Sequence, residues 1–482
     1  MHPDMFKPSS TAETKRNSIK RKMSICVKNI LWYTEIRVRP VDCPAVWPKW
    51  ETPMRIRNSS RRSFVKLLAA APLLSQIAAR DLYAQAATAM GRDPRQNVYT
   101  RLGVKTVINC RGTWTYLSGS LEFAEVRQAQ VEAAHHFVNM LELQRAVGRR
   151  LAELTGAESG IITSGSAGAM AAATAGCMAG TNDKYIWQLP DTTGLKHEVI
   201  MMGGRSAFDS AIRLTGAKLM LVYSPEELTN AINENTAMIY TTDLGEKLQR
   251  QLGIAKDHKI PILLDDAAGI PPADNAKLYA RMGLDLYCFS GGKGLCGPQC
   301  SGLLLGRKDL IEAALLNSSP REGAVCRPMK VGKEEVIGCL TALETWLKMD
   351  EKKLYAEWNG RVDRIRKLAD TVPGVKTDIY IPDDGNRYPT LKVSWDQKAW
   401  GYSLVDCVRE LRQGDPVIEV VGVDNPSLVT AVREGNPNPN RKEHKDPDHI
   451  ELVSMTIKPG EEIIVGQKLR AILGAAQKKS GA

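Results

Sequence analysis

No stretch of the chain reaches the roughly 20 consecutive apolar residues of a membrane-spanning helix, so the sequence offers no helical anchor. There is no Cys-x-x-Cys and no Cys/His grouping with zinc spacing, which removes the common structural zinc sites although ten cysteines are present. There is no internal repeat, so a solenoid is excluded. Also missing from the body is an excess of charge of one sign. The whole chain carries a formal +11, but residues 1–86 hold 16 Lys/Arg against 6 Asp/Glu, and the remaining 396 residues hold 49 against 48. A body this close to neutral argues against a general nucleic-acid binder, which needs concentrated positive charge to displace counterions.

The basic leader is informative. Arg61-Arg62 follows Ser60 and precedes Phe64, Val65 and Lys66; an Ala/Leu run follows, and Ala84-Gln85-Ala86 supplies small residues. This resembles a twin-arginine export signal cleaved after Ala86; an amphipathic N-terminal helix is the alternative. The expected route is through the twin-arginine machinery to the periplasm. Residues 1–53, with Trp32, Trp47 and Trp50 and no clear period, do not suit a signal, and Met54 is the expected initiator. The cysteines beyond the leader mostly sit beside apolar residues and read as buried free thiols. Cys296 and Cys300, in a Gly/Pro loop, are the one pair spaced to meet in an oxidising compartment.

The body falls into an N-terminal arm (87–120), a large domain (121–345) and a smaller C-terminal domain (346–482). Apolar residues at helical spacing predict one long helix over 121–155. From Gly160 onward, short β patterns alternate with helical ones through about Leu305. Such alternation predicts an α/β fold with a mainly parallel sheet covered on both faces, whose ligands bind at the carboxyl ends of the strands. A long helical stretch over Lys333–Asp370 follows. Beyond it, strands at Thr390–Trp395, Pro416–Val421 and Ile450–Ile457 and helices at Tyr402–Arg412 and Glu461–Leu473 make a smaller α+β unit. The Asn436–Pro447 segment is a polar loop.

Three features fall at the ends of separate strands. Ser164-Gly165-Ser166-Ala167 opens a helix; its small residues and free N–H groups suit an anion, though such turns are common. Asp265-Asp266 ends an apolar strand, where an acid is costly unless paired; it either holds a cationic group or caps the next turn. Lys293, in Ser290-Gly-Gly-Lys-Gly, is either a solvated turn lysine or an amine set deep in a site for Schiff-base chemistry.

Taken in that order, the three resemble fold-type I pyridoxal-phosphate enzymes. The likeness extends to Val107-Ile108-Asn109, Thr155-Gly156-Ala157-Glu158, Glu198-Val199-Ile200, Asp265-Asp266-Ala267 with Pro271-Pro272, Ser290-Gly-Gly-Lys-Gly-Leu with Gly297-Pro298-Gln299, and Arg327-Pro-Met-Lys. On these motifs the chain resembles the selenocysteine synthase-like family, nearest to its D-glucosaminate-6-phosphate ammonia-lyase branch. The resemblance covers about residues 98–345 well and the C-terminal unit loosely. It implies pyridoxal 5'-phosphate as cofactor, with Lys293 as its Schiff-base lysine and proton shuttle. Asp265 would bond the pyridine nitrogen; Asp266 is the competing acid, and counting back from Pro271-Pro272 favours Asp265. Gly165, Ser166 and Ala167 would hold the phosphate with help from Ser290. Arg111, Arg327, Lys330 and Lys333 are candidates for a substrate carboxylate or phosphate. A homo-oligomer with its site near a subunit interface is also implied, and no metal is.

Two departures stand out. Where the family often has Gly-His-Arg after the Glu-Val-Ile strand, this chain has Gly203-Gly204-Arg205, so the histidine that stacks on the cofactor ring is missing and Arg205 or a neighbour has to cover the ring. Cys296 stands where the near branch usually has Arg, which counts against a phosphorylated sugar-acid substrate. His135-His136 read as core or surface residues. The expected activity is a lyase working by α,β-elimination on an amino acid or amino-sugar acid. Seryl-tRNA selenium transfer is the alternative, opposed by the neutral body and the missing basic RNA-binding domain; a non-catalytic exported binding protein is the third.

Overall fold

The computed structural model describes residues 97–423 and 448–481, apart from 207, 384 and 386. The expected twin-arginine leader, the expected cleavage site and the Asn436–Pro447 segment expected as a loop lie outside the described residues. Among those described, no helix is long and apolar enough to cross a membrane.

Strand β1 (Val107–Cys110) belongs to a small sheet described below. The next seven strands form the central sheet. They are β2 (Ser159–Thr163), β3 (Glu198–Met202), β4 (Lys218–Val222), β5 (Thr236–Thr241), β6 (Ile262–Asp265), β7 (Leu286–Ser290) and β8 (Gly302–Gly306), in the order β2-β8-β7-β6-β5-β3-β4. Only β8 runs against its neighbours; the rest are parallel. This is the expected mainly parallel sheet, here of seven strands. Its strands read as unbroken apolar runs because both faces are covered. Successive residues serve opposite faces: Ile162, Ile200, Ile239 and Leu264 enter one core, and Ile161, Val199, Met238 and Leu263 the other. The Ala/Gly-rich helix Gly165–Ala179 lies deep in the second core. Its small residues permit a close approach: a Cβ on Gly176 would lie 2.8 Å from the backbone nitrogen of Ala314.

The C-terminal unit contains β9 (Lys376–Tyr380), β10 (Thr390–Ser394), β11 (Val417–Val420) and β12 (His449–Val453). Three of these form an antiparallel sheet, β12-β10-β9. The fourth, β11, pairs in parallel with β1, Val107 facing Val417 and Cys110 facing Val420. Ile108 and Cys110 accordingly share a core with Val393, Val420, Leu452 and Leu469. Part of the expected arm is therefore a strand of the C-terminal unit.

Two helices expected to be continuous are broken. The 121–155 stretch is Ala124–Ala134 and Met140–Thr155, because the Asn139 side chain caps the second by accepting from the N–H groups of Leu141 and Glu142. His135 and His136 lie in the gap, exposed. The 333–370 stretch is likewise Lys333–Trp346 and Glu351–Ala369, with Asp350 as the cap. Short polar side chains satisfying the first N–H groups of a helix start it where the apolar period alone shows no boundary.

Candidate active site

Lys293 follows β7 in a turn whose backbone is tied on all sides. Gly291 N–H donates to the Ser301 carbonyl (2.8 Å), Cys296 N–H to the Lys293 carbonyl (3.0 Å), and Gly297 N–H to the Gly291 carbonyl (2.9 Å). From the N-terminal segment, Ser120 N–H donates to the Gly292 carbonyl (2.9 Å) and Phe123 N–H to the Cys296 carbonyl (3.1 Å). The Trp346 indole holds the Leu295 carbonyl (3.0 Å). The flanking glycines are steric requirements. A Cβ on Gly292 would lie 2.6 Å from Cα of Gln299, and one on Gly294 would land on the Ile270 carbonyl and the Tyr388 hydroxyl. The lysine itself is half-buried.

Asp265 ends β6, the strand next to β7. Three donors face its carboxylate: the Tyr240 hydroxyl (3.0 Å), the Ala267 N–H (3.2 Å) and, more weakly, the Cys288 thiol (3.6 Å). Burial and the adjacent carboxylate hold the Tyr240 phenol well above its ordinary range, so it acts as a donor only. These bonds fix the direction of the carboxylate at the strand end, where it can accept from a protonated ring nitrogen. Asp266 faces elsewhere. It is buried, accepts from the Tyr279 hydroxyl (2.6 Å) and covers Gly269. Burial pushes its carboxyl up, against the opposing pull of the Tyr279 bond and of the Arg387 and Lys293 charges.

The helix Gly165–Ala179 opens beside these strand ends. Gly165 takes φ +75°, and Ser164 makes no capping bond, so the side chain before the helix leaves its first N–H groups open. The Thr163 hydroxyl fixes the turn by donating to the Gly165 carbonyl (2.9 Å). Gly302 on β8 must lack a Cβ, which would sit 2.6 Å from the Ser166 nitrogen. Ser166 is half-buried and Ala167 exposed. Ser290, at the end of β7, donates its backbone N–H to Ala267 (3.0 Å). An open helix terminus, a strand-end carboxyl acceptor and a half-buried amine, each on rigid backbone at the same sheet edge, fit the phosphate, ring nitrogen and aldehyde carbon of pyridoxal phosphate.

The other candidates are placed differently. Cys326, Met329 and Val331 line a small cleft with Thr163, Ser164 and Gly168, so the Arg327–Lys330 segment borders the turn that opens the helix Gly165–Ala179; Arg327 is half-buried and Lys330 exposed. Lys333 pairs with its neighbour Glu334. Arg111 is 3% exposed; it donates to the carbonyls of Val420 (3.0 Å) and Val423 (2.9 Å) and stacks on Trp114. Its guanidinium is occupied in joining β1 to the C-terminal unit. Cys296 and Cys300 are both free: Cys296 is buried, its thiol pushed up to about 12 by burial, and Cys300 is exposed.

Three participants were not read from the sequence. Tyr240 lies within the wholly buried strand β5, where nothing in the local pattern marks it as a site residue. Arg387, before β10, is near enough to Asp266, Tyr279 and Tyr355 to favour their ionised forms, and its Nε is buried with no partner among the described residues. Phe208 places its ring centroid 6.0 Å from the Lys293 ammonium. Arg205 is bound to the buried Asp209 instead.

No family profile matches the chain. A 5'-C-glycyluridine monooxygenase-decarboxylase from a Streptomyces species is 31% identical over 339 residues, spanning 66% of this chain and 83% of that protein. The chain belongs to the selenocysteine synthase-like family of fold-type I pyridoxal-phosphate enzymes. The D-glucosaminate-6-phosphate ammonia lyase of Salmonella typhimurium is 28% identical over 67% of this chain and 88% of its own. A solved D-glucosaminate-6-phosphate ammonia-lyase structure superposes with a TM-score of 0.65 at 26% identity, over 79% of this chain and 99% of that one. The L-seryl-tRNA(Sec) selenium transferase of Desulfovibrio desulfuricans is 25% identical over 49% of this chain and 52% of its own. These relatives are lyases and transferases, and this family member is an enzyme of lyase type.

Proposed function

We propose that the protein is a pyridoxal-phosphate lyase acting on a small amino acid or amino-sugar acid by α,β-elimination. The observation that carries this is the convergence of Lys293, Asp265 and the open N-terminus of the helix Gly165–Ala179 at one sheet edge. When bound, the cofactor supplies an electron sink that makes a substrate Cα–H acidic. Asp265 keeps the ring nitrogen protonated, and Gly165, Ser166, Ala167 and Ser290 anchor the phosphate. With the cofactor held there, Lys293 would be the base that accepts the Cα proton and would return it to the leaving β-hydroxyl as water. The net reaction would turn a β-hydroxy amino acid into an enamine plus water, and the enamine, through its imine tautomer, would take up water to give a keto acid and ammonia. Arg387 and Arg327 are the residues for the substrate carboxylate, since each offers a planar fork; Lys330 adds a flexible charge at the cleft, and Arg111 is needed for structure instead.

The test is a spectrum of the purified protein loaded with pyridoxal phosphate. A visible band that disappears in Lys293→Ala is expected; a colourless protein that takes up no cofactor overturns the reading. A screen of D- and L-amino acids and amino-sugar acids then reads ammonia and keto-acid release. The likeness to a monooxygenase-decarboxylase makes oxygen uptake and carbon dioxide release the second readout. Turnover that consumes oxygen without releasing ammonia would replace elimination by oxidative decarboxylation.

Export and assembly belong to the same proposal. The Arg61-Arg62 signal supports delivery to the periplasm, and an Arg61→Lys/Arg62→Lys precursor should stay in the cytoplasm on fractionation. Leu121, Val131, Phe137 and Val138 are exposed apolar side chains on the segment whose Ser120 and Phe123 bond the lysine turn. They support a homo-oligomer with the site close to the interface, which light scattering would measure.

A further inference from the structure

The loop after β3 carries a feature that elimination chemistry alone does not explain. Asp209 is 1% exposed and binds several groups of that loop and of the short helix after it. It accepts from Arg205 through both Nε and Nη2, the latter at 3.0 Å, from Arg213 Nε (3.0 Å) and from the Ser206 N–H (3.2 Å). A buried carboxylate with this many partners fixes the backbone around it. Beside it, Phe208 is 58% exposed. A single exposed apolar side chain is ordinary, but this one is held on an immobilised backbone and its ring looks onto the Lys293 ammonium at 6.0 Å. That distance is the outer limit of a useful cation–π contact, so the amine does not account for the position of the ring. Arg205, the other group that could cover a flat ligand, is committed to Asp209.

We propose that Phe208 covers one face of the pyridine ring of pyridoxal phosphate, doing with a phenyl what the family commonly does with an imidazole. The inference rests on the cofactor reading above. Offset stacking of two six-membered aromatic rings needs a flat, rigidly held partner, and the Asp209 anchor supplies one. A phenyl neither donates a hydrogen bond nor titrates, so Phe208 brings no charge change near neutral pH where an imidazole would. Phe208 is a positioning residue; proton transfer remains with Lys293.

The experiment titrates pyridoxal phosphate into the cofactor-free full chain, reading absorbance and visible circular dichroism for the parent, Phe208→Ala, Phe208→Tyr, Phe208→His and Lys293→Ala. Phe208→Ala should weaken binding about tenfold and reduce the visible dichroism, with the cofactor-free melting temperature unchanged because the side chain is exposed. Phe208→Tyr should restore both readings. Phe208→His should bind well and should add an inflection near pH 6.5 to the affinity profile that the cofactor's own phosphate gives the parent. Parent-like affinity and dichroism in Phe208→Ala would overturn the proposal while leaving the cofactor reading intact. A parent that takes up no cofactor at all would overturn the cofactor reading, and this proposal with it.

Discussion

Asp265 and Asp266 adjoin in the chain but face different surroundings. Asp265 accepts from Tyr240, Ala267 and Cys288, while Asp266 has burial working against its charge and Tyr279 as its side-chain donor. Asp265→Asn should shift the visible band of the loaded enzyme and lower turnover by about 100-fold or more, whereas Asp266→Asn should keep the band. Asp266 also predicts a pH dependence of stability. Its folded pKa is raised above the unfolded value of about 3.9, so in that window the folded state binds more protons. Its stabilising contribution is full below the unfolded pKa and is lost as pH rises through the folded one. Asp266→Asn, which does not titrate, should therefore melt progressively higher relative to the parent as pH rises from about 4 toward neutral. A melting difference that does not change with pH would show that burial is not acting on this carboxyl. Both acids were legible in the sequence because an apolar strand ending in Asp is a local pattern. Tyr240, Phe208 and Arg387 were not, because a single aromatic or Arg becomes a site residue only when distant strands bring it there.

At the scale of the element, the lysine turn is built from glycine for want of space. Gly294 is enclosed by the Ile270 carbonyl and Tyr388, so Gly294→Ala forces backbone to move and should destabilise by about 3 kcal/mol on urea denaturation. Gly165 differs: its φ is +75°, but a Cβ there would meet nothing within 4 Å. Gly165→Ala should cost only about 1 kcal/mol of backbone strain, and its larger effect should be weaker phosphate binding, read as a raised cofactor Kd. Equal stability losses in the two variants would contradict this distinction. Turns of this kind were legible as motifs, Ser-Gly-Ser-Ala and Gly-Gly-Lys-Gly, since small residues are demanded wherever backbone approaches backbone. Helix boundaries were less legible. The apolar period runs on through His135–Asn139, and the break depends on which of several polar side chains actually caps.

Across the whole molecule, the site depends on both ends of the described chain. Tyr388 and Arg387 reach the lysine turn and Asp266 from the C-terminal unit, and the helix Glu351–Ala369 places Trp358 in the large core and Val362 and Ile365 in the C-terminal one. The alternating β and α patterns made the central sheet legible, but not the pairing of β1 with β11, which rests on contacts across most of the chain. Arg111 seals that pairing, bonding a carbonyl 309 residues away. Its sequence context, a loop residue among family-like motifs, suggested a substrate ligand; its burial and its bonds to Val420 and Val423 make it a structural clamp. Arg111→Met keeps most of the apolar stem but leaves both carbonyls without the guanidinium, one of them in a buried setting. The expected cost is about 3 kcal/mol, seen as a lower urea midpoint, with KM for any substrate found changing little in the surviving folded fraction. Arg327→Met should do the opposite, leaving stability within about 0.5 kcal/mol and raising KM. If Arg111→Met instead left the midpoint alone and raised KM, the clamp would be wrong and the guanidinium would have to leave Val420 and Val423 when substrate binds.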